Sequence, residues 1–168
     1  MKKILELKRN IVKEGILIIK EKKGEYLSEI YLDKIPGKKK NSNGQRRTEC
    51  YSFNPFFIKN YDAKKLTNKD LPPLEEINLE VKNFFDFKKY GDKEIFLVEK
   101  IAILHINQKV YLVEIELNIS LNDSQKKEME KLIEIAKERY NGDIKPENIG
   151  FNSHNSRLEF FDSFLTLK

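Results

Sequence analysis

The chain is poor in the residues that staple, break or anchor a fold. Cys50 is its one cysteine, and tryptophan is absent. A single thiol excludes an internal disulfide and a cysteine-based zinc site, suits a reducing compartment and predicts a cytoplasmic protein. Seven glycines and five prolines in 168 residues are too few for a collagen-like or low-complexity chain. Long hydrophobic runs are missing as well. The longest, residues 15–19 and 101–104, fall far short of the roughly 20 apolar residues that cross a membrane as a helix, so no membrane partner is expected. The opening Met1-Lys2-Lys3-Ile4-Leu5-Glu6 meets charge at once and has no apolar stretch leading to a small-residue cleavage site, so export is not expected.

What is there supports a core. Hydrophobic residues make up 39% of the chain and charged residues 35%, which excludes disorder throughout and predicts an apolar interior under a charged surface. The length fits one domain. A net charge of +5 hides an uneven split: residues 1–70 carry 18 Lys/Arg against 9 Asp/Glu, and residues 71–168 carry 14 against 18. A basic half is either a polyanion-binding face or a solvated lysine-rich surface.

Periodicity gives the elements. Residues 15–20 and 26–32 are short, branched and aromatic, and are separated by Lys22-Lys23-Gly24, as in a β-hairpin. Residues 35–47 carry breakers and five cations with almost nothing to bury, which predicts a loop. Residues 51–61 return to aromatics around Asn54-Pro55 and read as an edge strand with a break or as two short strands. Asp70-Leu-Pro-Pro73 is a helix entry, followed by Leu74, Ile77, Val81, Phe84 and Phe85 on one stripe that ends near Gly91. Residues 95–106 and 109–119 are the strongest strands, and Val113, Ile115 and Leu117 alternate with Glu114 and Glu116, which predicts one wet face. Asn122 to Gln125 is a helix cap ahead of Met129, Leu132, Ile133, Ala136 and Tyr140, and Gly142 stops that helix. The fold class is therefore α+β: an antiparallel sheet with two main helices.

The segment that carries chemistry follows. It reads Gly142-Asp143-Ile-Lys145-Pro-Glu-Asn148, with Asp162 further on after a Ser153-His-Asn-Ser156 turn that can fold the chain back. With 8 Asp, 27 Lys and 15 Asn in the chain, Asp-x-Lys-x-x-Asn is expected by chance roughly 0.1 times, and roughly 0.02 times with a second Asp in a short window. Without further chemistry the segment is a polar loop in which Asp143 caps a turn and Lys145 is solvated. The pattern resembles the catalytic loop and metal-binding segment of the protein kinase superfamily. That resemblance covers about residues 122–164 by motif, and about 51–119 only by element order. It implies a minimal or truncated kinase-like fold in one domain: a small-lobe-like sheet and helix over about 1–119, then a helix, catalytic-loop-like segment and terminal hairpin over about 120–168. It also implies Mg2+ and ATP as cofactors. Asp143 would orient the hydroxyl nucleophile, Lys145 would neutralise the transferring phosphoryl group, and Asn148 and Asp162 would hold magnesium. Upstream, Lys59 would grip the nucleotide phosphates. Glu80, with Glu76 one turn earlier as its alternative, would fix that lysine.

The departures are as specific as the matches. Asn141-Gly142 stands where the family has His-Arg, Asp162 is not followed by the glycine of the metal-binding triplet, and six residues follow Asp162. A Gly-x-Gly-x-x-Gly loop is missing: Gly37 and Gly44 flank Lys38-Lys39-Lys40, so a phosphate grip there would use side-chain cations. These features imply either an active phosphotransferase or a nucleotide-binding pseudokinase. Two other classes fit the same residues. One is a basic nucleic-acid-binding protein, such as a small ribonuclease toxin or a phage-type inhibitor, using Lys38, Lys39, Lys40, Arg46 and Arg47 beside Tyr51, Phe53, Phe56 and Phe57. In that class His105 and His154 are the acid–base candidates, against a plainer reading as a buried and a turn residue. The other is a kinase-derived interaction module that binds a protein substrate or a host protein.

Overall fold

Helix α1 (Lys2–Lys13) opens the chain, where the sequence reading placed no element. Leu7 and Ile11 lie one turn apart and are fully buried, the i, i+4 spacing of a single apolar stripe. The computed structural model describes residues 2–40, 49–60, 73–161 and 164–168, and the architecture is α+β.

Among the described residues seven strands form the main sheet: β1 (Ile18–Lys23), β2 (Ser28–Leu32), β3 (Lys38–Lys40), β4 (Cys50–Phe53), β5 (Phe56–Asn60), β6 (Lys100–Ile106) and β7 (Lys109–Ile115), in the order β1-β2-β6-β7-β5-β4-β3. Every pairing is antiparallel except β2 with β6. β3, β4 and β5 run as a meander, helix α2 (Pro73–Lys89) follows, and the β6–β7 hairpin then places β7 beside β5. The expected hairpin at the start of the sheet is β1–β2.

Two expectations change. Residues 35–47 are not all loop, because Lys38–Lys40 pair with β4 as the sheet's edge strand. Of the two forms open to the aromatic stretch, it takes the second, two short strands, and β5 lies between β4 and β7. The face of β7 that carries Glu114 is not wet: Glu114 is 3% exposed. Alternation reports which residues share a face, and an acidic residue leaves the wet face when a cation on the neighbouring strand neutralises it.

The chain divides into two compact units. The first comprises Met1–Leu79 and Lys100–Glu116, the second Glu80–Glu99 and Leu117–Lys168. The first holds α1 and the seven-stranded sheet, with Ile30, Phe56, Ile58, Ile103, Leu104 and Leu112 fully buried. The second is built around α3 (Asp123–Arg139), whose N-terminus carries a capping box between Asn122 and Gln125. It also holds the two-residue β8 (Tyr140–Asn141), a 3-10 turn (Pro146–Asn148), the hairpin β9 (Ile149–Asn152) with β10 (Arg157–Phe160), and β11 (Thr166–Leu167), which pairs with β8. Phe84, Phe87, Ala136, Tyr140, Leu158 and Phe160 are among its core residues, and Leu132 and Ile133 of the expected stripe pack against them. Among the described residues no helix is long and apolar enough to cross a membrane.

Candidate functional site

In the second unit, the path from α3 into residues 142–148 is fixed from both sides. Asp92 accepts hydrogen bonds from the Tyr140 hydroxyl, from Arg139 at 3.0 Å and from the backbone amides of Glu94 and Ile95. Burial alone would raise the Asp92 pKa, but these donors outweigh it and hold the carboxyl at about 2. The same contact and burial push the Tyr140 hydroxyl up. The last residues of α3 are thus tied to a fixed carboxylate, and β8 is pinned by pairing with β11.

Gly142 accounts for one departure from the kinase pattern. Its φ is +148°, and a Cβ placed there would sit 2.3 Å from the Phe164 carbonyl oxygen and 2.8 Å from Leu165 Cδ2. Neither an arginine nor any other side chain fits against that returning backbone.

Beyond Gly142, three candidate side chains meet. Lys145 Nζ lies 3.1 Å from Asp143 Oδ2. Asn148 Nδ2 donates to the Asp143 main-chain oxygen at 3.1 Å and to its Oδ2 at 3.3 Å. The 3-10 turn opened by Pro146 makes this reach short, since the Asn148 amide donates to the Lys145 carbonyl at 3.1 Å. Asp143 and Lys145 are open to solvent, whereas Asn148 is 8% exposed. The Asn148 carbonyl also accepts from the Phe161 amide at 2.8 Å, so the end of the β9–β10 hairpin returns to the same residue. Asp162 lies outside the described residues. Among the described residues no group of three or more His, Cys, Asp or Glu side chains is placed to hold a metal ion.

The hairpin has a latch that the sequence reading missed. Glu159 is buried and accepts from Asn152 at 2.9 Å, Asn155 at 3.2 Å and Arg157 at 2.8 Å. The Arg157 guanidinium stacks 3.6 Å from the Phe96 ring centroid. Arg157 and Glu159 at i, i+2 on one strand was the signal available, since such residues share a face.

In the first unit, Lys59 is fully buried on β5, with Nζ 3.3 Å from Glu114 Oε1. Lys100, also buried, meets Glu114 Oε2 at 2.5 Å. Sequence reasoning had singled out Lys59 but not Glu114 or Lys100. Glu80 of α2 is buried and Glu76 half-buried, and Glu80 belongs to the second unit.

The basic edge is partly committed. Lys40 is 2.9 Å from Glu116, whose other oxygen accepts from Ser52 at 2.6 Å. Lys38 and Lys39 are exposed, while Arg46 and Arg47 lie outside the described residues. The aromatics proposed to stack on bases belong largely to the interior: Tyr51, Phe53 and Phe56 are buried and Phe57 half-buried. Tyr51 and Tyr111 instead donate to Glu49 Oε2 at 2.9 and 2.8 Å, and Lys109 donates to its Oε1 at 2.6 Å. His105 bonds Glu29 at 2.7 Å and stacks on Tyr31, and His154 is exposed in the β9–β10 turn.

No protein-family model matches the chain, and a search of curated proteins finds no match.

Proposed function

We propose that this chain is a minimal kinase-like protein that binds Mg-ATP, either as a phosphotransferase or as a nucleotide-binding pseudokinase. The observation that carries the reading is the meeting of Asp143, Lys145 and Asn148 within 3.3 Å, with the Phe161 amide on the Asn148 carbonyl. Phosphoryl transfer needs a carboxylate to orient the nucleophile, a cation near the moving charge and an oxygen donor for magnesium. These three side chains supply those functions, and Asp162 would supply the second metal oxygen.

Element order adds support. Lys59 stands on the third strand of the β3–β4–β5 meander, and Glu80 on the helix that follows. A kinase small lobe carries its phosphate-gripping lysine and its helix glutamate in that order. Asn148 and Asp162 would hold magnesium, which would supply positive charge against the phosphates. Within the second unit, the chain's own groups orient the hydroxyl at Asp143 and place positive charge at Lys145.

The test is a titration of the full chain with ATP, with and without magnesium, followed by transfer of the γ-phosphoryl group to a generic protein substrate or to the chain itself. Magnesium-dependent binding supports the reading, and binding without transfer selects the pseudokinase or a kinase-derived interaction module. Indifference to Mg-ATP overturns it.

A second reading rests on the exposed Lys38 and Lys39 of the edge strand and the excess of cations in residues 1–70. It is a nucleic-acid-binding protein held by phosphate contacts, since the nearby aromatics are mostly interior. Neutralising Lys38, Lys39, Lys40, Arg46 and Arg47 together would then abolish a salt-sensitive affinity for RNA or DNA.

A further inference from the structure

A cleft of about 450 Å³ opens in the first unit, among the last turn of α1, the start of β3 and the turn between β4 and β5. Its lining falls wholly within that unit, and its size is that of a small-molecule site. Lys38, on which the nucleic-acid reading rests, lies on its rim.

Two glycines shape it. At the end of α1 the Ile16 amide donates to the Ile11 carbonyl at 3.2 Å and the Gly15 amide to that of Val12 at 3.0 Å, with Gly15 at φ +76°. This closure fixes Lys13 and Glu14 where the helix stops. At Gly37, φ +85°, a Cβ would sit 2.5 Å from the Ser52 carbonyl oxygen and 2.9 Å from Phe53 Cβ. Glycine there lets the chain entering β3 close on β4.

The lining is chemically mixed. Lys13 and Lys38 bring positive charge, Glu14 a carboxylate, Asn10 and Asn54 carboxamides, and the mostly buried Phe53 an apolar surface. Lys13, Glu14, Lys38 and Asn54 are exposed and Asn10 is half-buried. Among the described residues these five side chains make no hydrogen bond or ion pair, whereas Lys40 and Ser52 of the same edge are both bound to Glu116.

A ligand matching this set is anionic at one end and a hydrogen-bond donor at the other. Phosphates suit the two lysines. Glu14 repels phosphate and only accepts hydrogen bonds, so it calls for neighbouring donors. Guanine offers two, at N1 and N2 of its Watson–Crick edge. A duplex occupies that edge by pairing, and a single strand leaves it free. We infer that the cleft binds a guanine nucleotide of a single-stranded nucleic acid, with Glu14 on the base edge and Lys13 and Lys38 on the flanking phosphates. The inference rests on the nucleic-acid reading and names the substrate class of that edge.

Fluorescence anisotropy of the full chain tests it with three labelled RNA probes: a short oligoadenylate, the same strand with guanine at two internal positions, and the duplex of that second strand with its complement. The guanine-bearing strand binds at least fivefold tighter than oligoadenylate, the scale of one good bidentate contact, and at least fivefold tighter than the duplex. Glu14→Ala removes a repelling charge as well as the guanine contact, so it tightens oligoadenylate and brings the guanine preference below twofold. Glu14 is exposed, so the variant keeps its fold, and a ratio between two strands is not moved by a merely structural role. Equal affinity for the three probes, or a guanine preference that survives Glu14→Ala, overturns the cleft as the site and leaves the nucleic-acid reading standing. A wild type that binds none of them overturns both.

Discussion

Asn148 reaches back five residues and donates its side-chain amide to Asp143, at 3.1 Å to the main-chain oxygen and 3.3 Å to the carboxylate. The same residue takes the Phe161 amide on its own carbonyl. A buried asparagine thus links two stretches of chain that the sequence separates by more than ten residues.

Asn148→Ala is therefore expected to destabilise the protein by about 1–2 kcal/mol, the usual loss for hydrogen bonds whose remaining partners can find water. Asp143 is mostly exposed, which keeps the loss from being larger. Urea denaturation gives the value, and an unchanged midpoint would mean that the amide does not hold the segment.

Gly142→Ala should cost more, about 3 kcal/mol. The strain of a positive φ adds to the collision with the Phe164 carbonyl, and each contributes about 1–3 kcal/mol. A variant as stable as the wild type, with residues 164–167 still protected from hydrogen exchange, would contradict the close approach at 2.3 Å.

Acid should unfold the protein in a window set by two carboxylates. Burial alone would raise the Glu49 pKa, but hydrogen bonds from Lys109, Tyr111 and Tyr51 outweigh it and bring the carboxyl from 4.5 to about 2. Asp92 is likewise held at about 2. A carboxyl depressed in the folded state stabilises above its unfolded pKa, and that stability is lost as pH falls from about 4.5 toward 2. After allowance for solvent screening at the exposed Lys109, Glu49 contributes about 2 kcal/mol at neutral pH. Glu49→Gln should flatten the decline between pH 5 and 2 in a denaturation series. A slope equal to the wild type's would contradict the clamp.

The legible parts of the fold were those with strong local signals. The Asn122–Gln125 capping box announced α3, the Ile77, Val81 and Phe84 stripe announced α2, and the hairpin ending near Phe160 followed from its turn residues. Helix α1 was hidden by four cations in its first nine residues, although Leu7 and Ile11 already carried the spacing. The site divided in the same way. Asp143, Lys145 and Asn148 were readable because their contacts are local. The pairing of Lys59 with Glu114 was not, because it depends on which strands become neighbours, and the order β5-β7-β6 follows from no short-range pattern. Glu114 consequently looked like half of a solvent-facing alternation.

The most direct test of the kinase-like account is equilibrium unfolding of the full chain with and without Mg-ATP at a hundred times its dissociation constant. The account predicts a gain of about 2.7 kcal/mol, most of it lost in Asp162→Ala. An unfolding curve that Mg-ATP leaves unmoved in the wild type would contradict it.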